Sequence, residues 1–191
     1  MVKRIYWRVL RVLGFKQLSW DQQYKEGMWQ RMECSPHTLM LINKLVEGGR
    51  ILQFGCGTGD LVHVLPASVY SHYLGIDISS AAIEKARKLA DQAGLAKCAF
   101  EVGSMESWKG SLDPISLILL EECLYYLNGS AMKEFLVRCY DSLDKNGKLL
   151  VIVHDAKKHA KTLEICRNSV YPVSDLSNIE GRTYLTLGKS V

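Results

Sequence analysis

Two hydrophobic rhythms alternate along this chain. Short apolar runs fall at residues 51–54, 73–76, 98–102, 115–120 and 148–153. Each is too short for a helix and carries β-branched or aromatic residues, so each is expected to be a strand. The run at 115–120 holds no charge, which suits a strand buried on both faces. Between these runs the apolar residues return every three or four positions. Leu39, Leu41, Ile42, Leu45 and Val46 show it, as do segments 81–93, 132–143 and 156–167. Those segments are expected to be helices. Segments 170–173 and 183–187 read as two last strands joined by a polar loop. Strands alternating with helices over this length predict an α/β fold with a mostly parallel sheet and helices on both faces.

The punctuation agrees. Ser35-Pro36 places a capping hydroxyl before a proline at the first helical position, and Gly48-Gly49 stops that helix. Ser79 or Ser80 caps the next long helix and Gly94 ends it. A short helix at 61–65 is closed by Pro66. Residues 2–15 have one apolar side (Val2, Ile5, Val9, Val12, Leu13) and one basic side (Arg4, Arg8, Arg11). That helix either covers the core with a solvated face or rests on an anionic membrane surface. Trp20, Tyr24 and Trp29 follow, with a helix expected from Ser19 and a break at Gly27.

The first strand runs into Gly55-Cys-Gly-Thr-Gly59 and then Asp60. A strand turns directly into a helix only through backbone angles that glycine tolerates, and bare glycines let a ligand lie against the chain. The helix start offers free N–H groups to an anionic group such as a carboxylate. Eighteen residues after Gly59 the second strand ends in Asp77, an acid suited to a ribose diol. A dinucleotide fingerprint would read G-x-G-x-x-G, but here Asp60 holds the sixth place, where it would repel a pyrophosphate. A nicotinamide cofactor is therefore disfavoured, and a cationic, phosphate-free nucleoside fits better.

Segments 51–61, 73–86 and 143–153, in that order, resemble the successive motifs of class I methyltransferases that use S-adenosylmethionine (SAM). The resemblance covers roughly residues 20–155. It implies a Rossmann-like fold of seven strands, the last antiparallel, in one domain over 1–191. Residues 1–49 would form a helical cover and 50–191 the SAM-binding core. The W-D-x-x-Y segment at Trp20 is similar to one opening many small-molecule and glycan methyltransferases, including relatives of the nodulation N-methyltransferases. By that resemblance Trp20 and Tyr24 close over the cofactor.

Composition narrows the setting. With 191 residues and 48% apolar content, one domain with a substantial core is expected. No apolar run reaches the roughly 18–20 residues of a membrane span, and no signal peptide is evident. The six cysteines (34, 56, 98, 123, 139, 166) form no CxxC pair, which fits a reduced, cytoplasmic chain. Residues 1–20 hold five basic side chains and no acid, leaving the remainder near neutral. A nucleic-acid-tracking domain should not look like that, so no nucleic-acid partner is expected. Peripheral contact with the inner membrane surface through residues 1–15 stays open, and the oligomeric state is not legible.

Ligands of open α/β sheets bind beyond the carboxyl ends of the strands. That rule gathers Gly55, Cys56, Gly57, Thr58 and Gly59 after strand one, and Asp77 with Ile78 after strand two. Ser104 and Met105 follow strand three, Glu121 and Glu122 strand four, and His154 strand five. By the resemblance, Asp77 binds the ribose and Ser104 stands where the family often has an acid for the adenine amino group. Gln53 stands where the family usually has Asp or Glu for the cationic end of methionine. Losing that charge-assisted hydrogen bond, roughly 1.5–3 kcal/mol, would lower cofactor affinity about tenfold or more.

Relatives also have an E-x-L-Y-Y run after strand four, matched by Glu121 to Tyr126. Glu121 is expected at the cofactor, and Glu122, Tyr125 and His154 are the candidates for acceptor chemistry. Glu122 could instead cap the following turn, and His154 could be structural. His154, Asp155 and His159 match no metal-ligand spacing, so no metal is expected. The implied reaction is attack by an O or N atom of a small molecule, sugar or glycan on the methyl of SAM, leaving S-adenosylhomocysteine (SAH). The alternative is a non-catalytic SAM-binding or partner-interaction module that keeps the fold, for which Gln53 and Ser104 speak.

Overall fold

Leu117 and Leu119 face one side of the sheet, Ile118 and Leu120 the other, and all four are fully buried. They belong to the central strand of a computed structural model that describes residues 14–29 and 34–188. Its strands are β1 (Arg50–Phe54), β2 (His72–Asp77), β3 (Cys98–Val102), β4 (Ile115–Glu121), β5 (Leu143–His154), β6 (Val173–Ile179) and β7 (Arg182–Gly188). They form one sheet in the order β3-β2-β1-β4-β5-β7-β6. β1 to β5 pair in parallel, and β7 inserts antiparallel between β5 and β6. This is the Rossmann-like, mostly parallel seven-stranded sheet with an antiparallel last strand that the sequence led us to expect.

The helices are α1 (Lys16–Lys25), α2 (Pro36–Val46), α3 (Ser80–Gln92), α4 (Gly129–Ser142) and α5 (Ala160–Arg167). α2 and α3 cover one face, packing Ile42, Val46, Ile83 and Ala86 on Ile51, Leu117 and Leu119. α4 and α5 cover the other with Phe135, Leu136 and Leu163 on Phe54, Ile118 and Leu120. Each such buried Ile, Val, Leu or Phe side chain contributes about 1.5–3 kcal/mol, which is why the two faces hold. The caps form as their residues suggest. The Ser35 hydroxyl accepts from the Thr38 N–H at 3.1 Å, and that of Ser79 from the Ala82 N–H at 3.1 Å.

Some boundaries differ from the sequence reading. Segment 61–65 is a 3-10 turn at Asp60–His63. α4 starts three residues earlier than expected because Asn128 caps it, its Oδ1 accepting from the Ala131 N–H at 3.0 Å. The chain after β5 becomes helical only at Ala160. The expected polar loop between the last two strands is mostly strand β6, an edge strand whose residues are largely exposed. Such a strand has no buried face to imprint an apolar alternation. The amphipathic segment 2–15 lies outside the described residues up to position 13. No helix among the described residues is long and apolar enough to cross a membrane.

Candidate functional site

Strand order reverses between β1 and β4, and a cavity of about 860 Å³ opens beyond their carboxyl ends. That volume sits within the roughly 300–1,000 Å³ of small-molecule sites. β1 delivers Gln53 and the loop Gly55, Cys56, Gly57 and Thr58 to its wall, and β2 delivers Asp77 and Ile78. Ser104 and Met105 line it from the loop after β3, and Glu121, Glu122 and Tyr125 from the end of β4. α1 closes the top with Trp20 and Tyr24.

Two expected residues stand apart. Gly59 is buried behind the loop, where a Cβ would meet the Phe100 ring at 2.8 Å. Its glycine permits the close approach of loop and core at φ +77°. His154 is exposed and its side chain does not line the cavity. Only its backbone takes part: the His154 N–H donates to Glu122 Oε1.

The Asp77 carboxylate is 8% exposed and held by backbone donors, the Gly57 N–H at 3.0 Å and the Ser79 N–H at 2.8 Å. Burial pushes its pKa above the usual range, and those donors oppose the shift. Gln53 Oε1 accepts from the fully buried Tyr73 hydroxyl at 2.6 Å. That bond takes up the amide oxygen and leaves the amide nitrogen for the cavity. Ser104 is tied into a local turn, its hydroxyl donating to Ser107 Oγ at 3.0 Å and accepting from the Ser107 N–H at 3.1 Å.

Glu121 pairs with Arg182 of β7 at 2.8 Å. Burial raises its pKa and Arg182 opposes the rise. Glu122 sits at φ +53°, a conformation that costs a non-glycine residue about 1–3 kcal/mol and is kept where surroundings over-determine it. Here they do: besides His154, the Tyr125 hydroxyl donates to Glu122 Oε2 at 3.0 Å. Tyr125 in turn stacks on His159, centroids 3.8 Å apart and planes 18° off parallel.

His159 lines the cavity and was not singled out for chemistry by sequence reasoning. Burial, then the Lys158 charge, lowers its pKa from the ordinary imidazole value. The signal was faint: a lone histidine ahead of a helix, with no motif around it. Among the described residues no group of three His, Cys, Asp or Glu side chains is placed to hold a metal ion.

A second set of contacts fixes α1. Asp21 of α1 accepts from the Ser79 hydroxyl at 2.7 Å, the Ser80 hydroxyl at 3.2 Å and the Ala81 N–H at 3.1 Å. Lys85 Nζ donates to the Tyr24 carbonyl at 2.6 Å, and Lys16 pairs with Glu106 at 2.6 Å. α1 is thereby fastened to the start of α3 and to the loop after β3.

A family model described as a methyltransferase domain matches residues 45–183. The chain belongs to the methyltransferase-domain family. The model spans β1 to the start of β7 and so includes every strand end that meets the cavity. None of the curated proteins matches the sequence significantly. Solved structures share the fold at low identity.

The N-methyltransferase NodS from Bradyrhizobium japonicum WM9, in complex with SAH, aligns at TM-score 0.69 and 16% identity over 84% of this chain and 91% of its own. The O-methyltransferase NcsB1 of neocarzinostatin biosynthesis, in complex with SAM and a naphthoic acid, aligns at 0.69 and 16% over 97% of this chain. This chain spans only 61% of that protein. An rRNA methylase from Streptococcus thermophilus aligns at 0.61 and 16%, over 84% of this chain and 99% of its own. The chain therefore shares the fold of these structures, two of them SAH- or SAM-bound, whose acceptors differ among themselves.

Its residues fit SAM on observations of their own. Gly55 and Gly57 put bare backbone at the cavity wall, and the Asp77 carboxylate stands against that loop, accepting from the Gly57 N–H. Acidic residues (Asp60, Asp77, Glu106, Glu121, Glu122) outnumber the lysines (Lys16, Lys158) along the wall, which suits a sulfonium.

Proposed function

We propose that this methyltransferase transfers the methyl of SAM to an O or N atom of a small molecule or sugar, releasing SAH. The observation that carries the reading is the buried Asp77 carboxylate, held by the Gly57 and Ser79 N–H groups at the edge of a glycine-floored cavity. In the site Asp77 accepts the ribose hydroxyls, and the loop 55–58 lies under the methionyl portion. Gln53 offers its amide nitrogen, Met105 and Ile78 flank the base, and Ser104 takes the adenine edge. Tyr24 and Trp20 cover the cofactor from α1.

SAM supplies an already activated methyl. The protein's task is then to align the acceptor and exclude water, and alignment contributes up to roughly 7–11 kcal/mol. Glu122, Tyr125 and His159 form one connected group at the acceptor end. His159, held neutral by its lowered pKa, is the base that takes a proton from the acceptor, with Glu122 and Tyr125 fixing its position. Calorimetry with SAM and SAH tests the reading. Binding of both, with Asp77→Asn weakened at least tenfold, is expected. Absence of binding by either would leave an interaction module that keeps the fold.

Peripheral membrane contact through residues 1–15 is a separate proposal. Support comes from the basic residues of that segment and from Phe15 and Leu18, both more than half exposed where the segment meets α1. Flotation with anionic vesicles, lost on changing Arg4, Arg8 and Arg11 to Glu, tests it.

A further inference from the structure

The acceptor end of the cavity is walled by aromatic rings in series. Trp29 packs on Trp20 with centroids 5.9 Å apart, Trp20 meets Tyr126 edge-on at 5.4 Å and 84°, and Tyr126 meets Tyr125 at 4.8 Å. Tyr125 stacks on His159. All five line the cavity. They come from three separate pieces of chain: α1 and the turn after it, the 3-10 turn after β4, and the approach to α5. Core packing does not account for the series, since Trp29 and Tyr126 remain 37% and 42% exposed. The near-perpendicular Trp20 and Tyr126 rings form a corner. Aromatic faces carry negative potential, so a cavity wall built of such rings suits a cation.

The Glu122 carboxylate accepts from the hydroxyl of Tyr125, the ring next to Tyr126 in the series. Glu122 accepts only from neutral donors, the His154 N–H and the Tyr125 hydroxyl, and forms no salt bridge among the described residues. The neighbouring acid, Glu121, is already neutralised by Arg182. Lys158 also lines the wall, as an exposed residue next to His159. We propose that the acceptor is a basic amine, its nitrogen received between the Trp20–Tyr126 corner and the Glu122 carboxylate. This rests on the methyl-transfer reading and narrows its acceptor to nitrogen.

The chemistry favours nitrogen over oxygen. The amine enters the reaction as its free base. Its lone pair forms the N–CH3 bond while the S–CH3 bond breaks, and that electron pair stays on sulfur. Positive charge thus moves from sulfur to nitrogen, towards Glu122 and the ring faces, which stabilise it where it develops. A primary or secondary amine then gives one N–H proton to His159, which passes it to solvent. A hydroxyl acceptor would first have to lose its proton to become a comparable nucleophile, and the Glu122 carboxylate repels the oxyanion so formed.

The test compares choline with its neutral isostere 3,3-dimethylbutan-1-ol, by calorimetry and tryptophan fluorescence on the full chain, with and without SAH. Choline should bind at least about fivefold more tightly, as cation–π contacts imply. Tyr126→Leu and Glu122→Gln should each bring the ratio towards one. Tyr126 is half exposed, so that variant tests the corner without opening the core. Equal binding of the two probes, or binding of neither, overturns the inference. SAH binding in the same samples is a separate readout. Its failure would remove the methyl-transfer reading, whereas a lost cation preference with SAH still bound removes only the amine acceptor.

Discussion

Asp21 on α1 accepts a hydrogen bond from the Ser79 hydroxyl at 2.7 Å, and the Ser79 N–H donates to Asp77 at 2.8 Å. One residue therefore joins α1 to the acid at the edge of the cavity. Ser79 also caps α3, so the junction is rigid. Asp21→Ala removes the three hydrogen bonds that fasten α1 to the start of α3. Net hydrogen bonds are each worth about 0.5–1.5 kcal/mol, so a stability loss of about 1.5–4.5 kcal/mol is expected in thermal or urea unfolding. SAH affinity should fall as well, because the lid must then be ordered by the ligand. A variant that unfolds earlier yet binds SAH unchanged would show that α1 is a structural strap only.

Gly57 and Gly59 should fail in different ways. Both have positive φ, +55° and +77°. A Cβ at position 57 would come within 2.9 Å of the Tyr24 hydroxyl, the tip of a lid side chain that can move away. A Cβ at 59 would come within 2.8 Å of the Phe100 ring, which is buried in the core. Gly57→Ala is expected to lower SAH affinity about tenfold and to cost the left-handed strain alone, about 1–2 kcal/mol, with partial recovery of affinity when Tyr24 is also changed to Ala. Gly59→Ala is expected to lose more than about 2 kcal/mol of stability, through left-handed backbone strain plus overpacking. Melting curves beside calorimetry separate the two.

The two histidines near β5 give a direct contrast. His159→Ala is expected to lower turnover by about 10²–10⁴ with SAH binding kept, the range for loss of a positioned base. His154→Ala should change neither, since its contact with Glu122 is made by the backbone. The pH profile carries a sign. The His159 pKa is lowered from 6.5, so the base form persists below the ordinary imidazole range and the acid limb of the rate profile should lie there. For stability, a histidine with a depressed folded-state pKa binds fewer protons folded than unfolded. Its contribution is fully present above the ordinary value and declines as pH falls through that window. A rate limb lying above the ordinary imidazole value would assign the base elsewhere.

These contrasts show what could be read from the residues alone. The glycine loop, Asp77 and the buried run 117–120 were legible because backbone geometry and double-sided burial restrict residue type strongly. The lid was not legible from periodicity, since α1 buries Ser19 and Gln23 rather than an apolar stripe. Gln23 uses its amide to back-bond the Ser19 carbonyl at 3.0 Å and to receive the Trp29 indole N–H at 3.2 Å. Trp20 and Tyr24 stood out only through resemblance to other methyltransferase sequences. The acceptor group was half legible. Glu122 and Tyr125 are neighbours in sequence and meet through a short turn, but His159 reaches Tyr125 across a loop whose path no local pattern encodes.

Gln53 offers the sharpest test of how this site departs from an acidic one. Its oxygen is committed to the Tyr73 hydroxyl, a buried donor with no other hydrogen-bond partner among the described contacts. Gln53→Glu would keep an acceptor for Tyr73 and place a second oxygen, now charged, at the cavity wall. Without ligand that charge is buried, since Gln53 is 6% exposed, so the free protein should be destabilised by about 1–3 kcal/mol. With ligand, the cationic amino group of the methionyl portion gains a charge-assisted hydrogen bond worth roughly 1.5–3 kcal/mol. The expected outcome is a lower melting temperature for the free protein together with SAH affinity raised about tenfold. A variant that loses stability without gaining affinity would mean that the Gln53 amide nitrogen already serves the ligand, as a donor to the methionyl carboxylate.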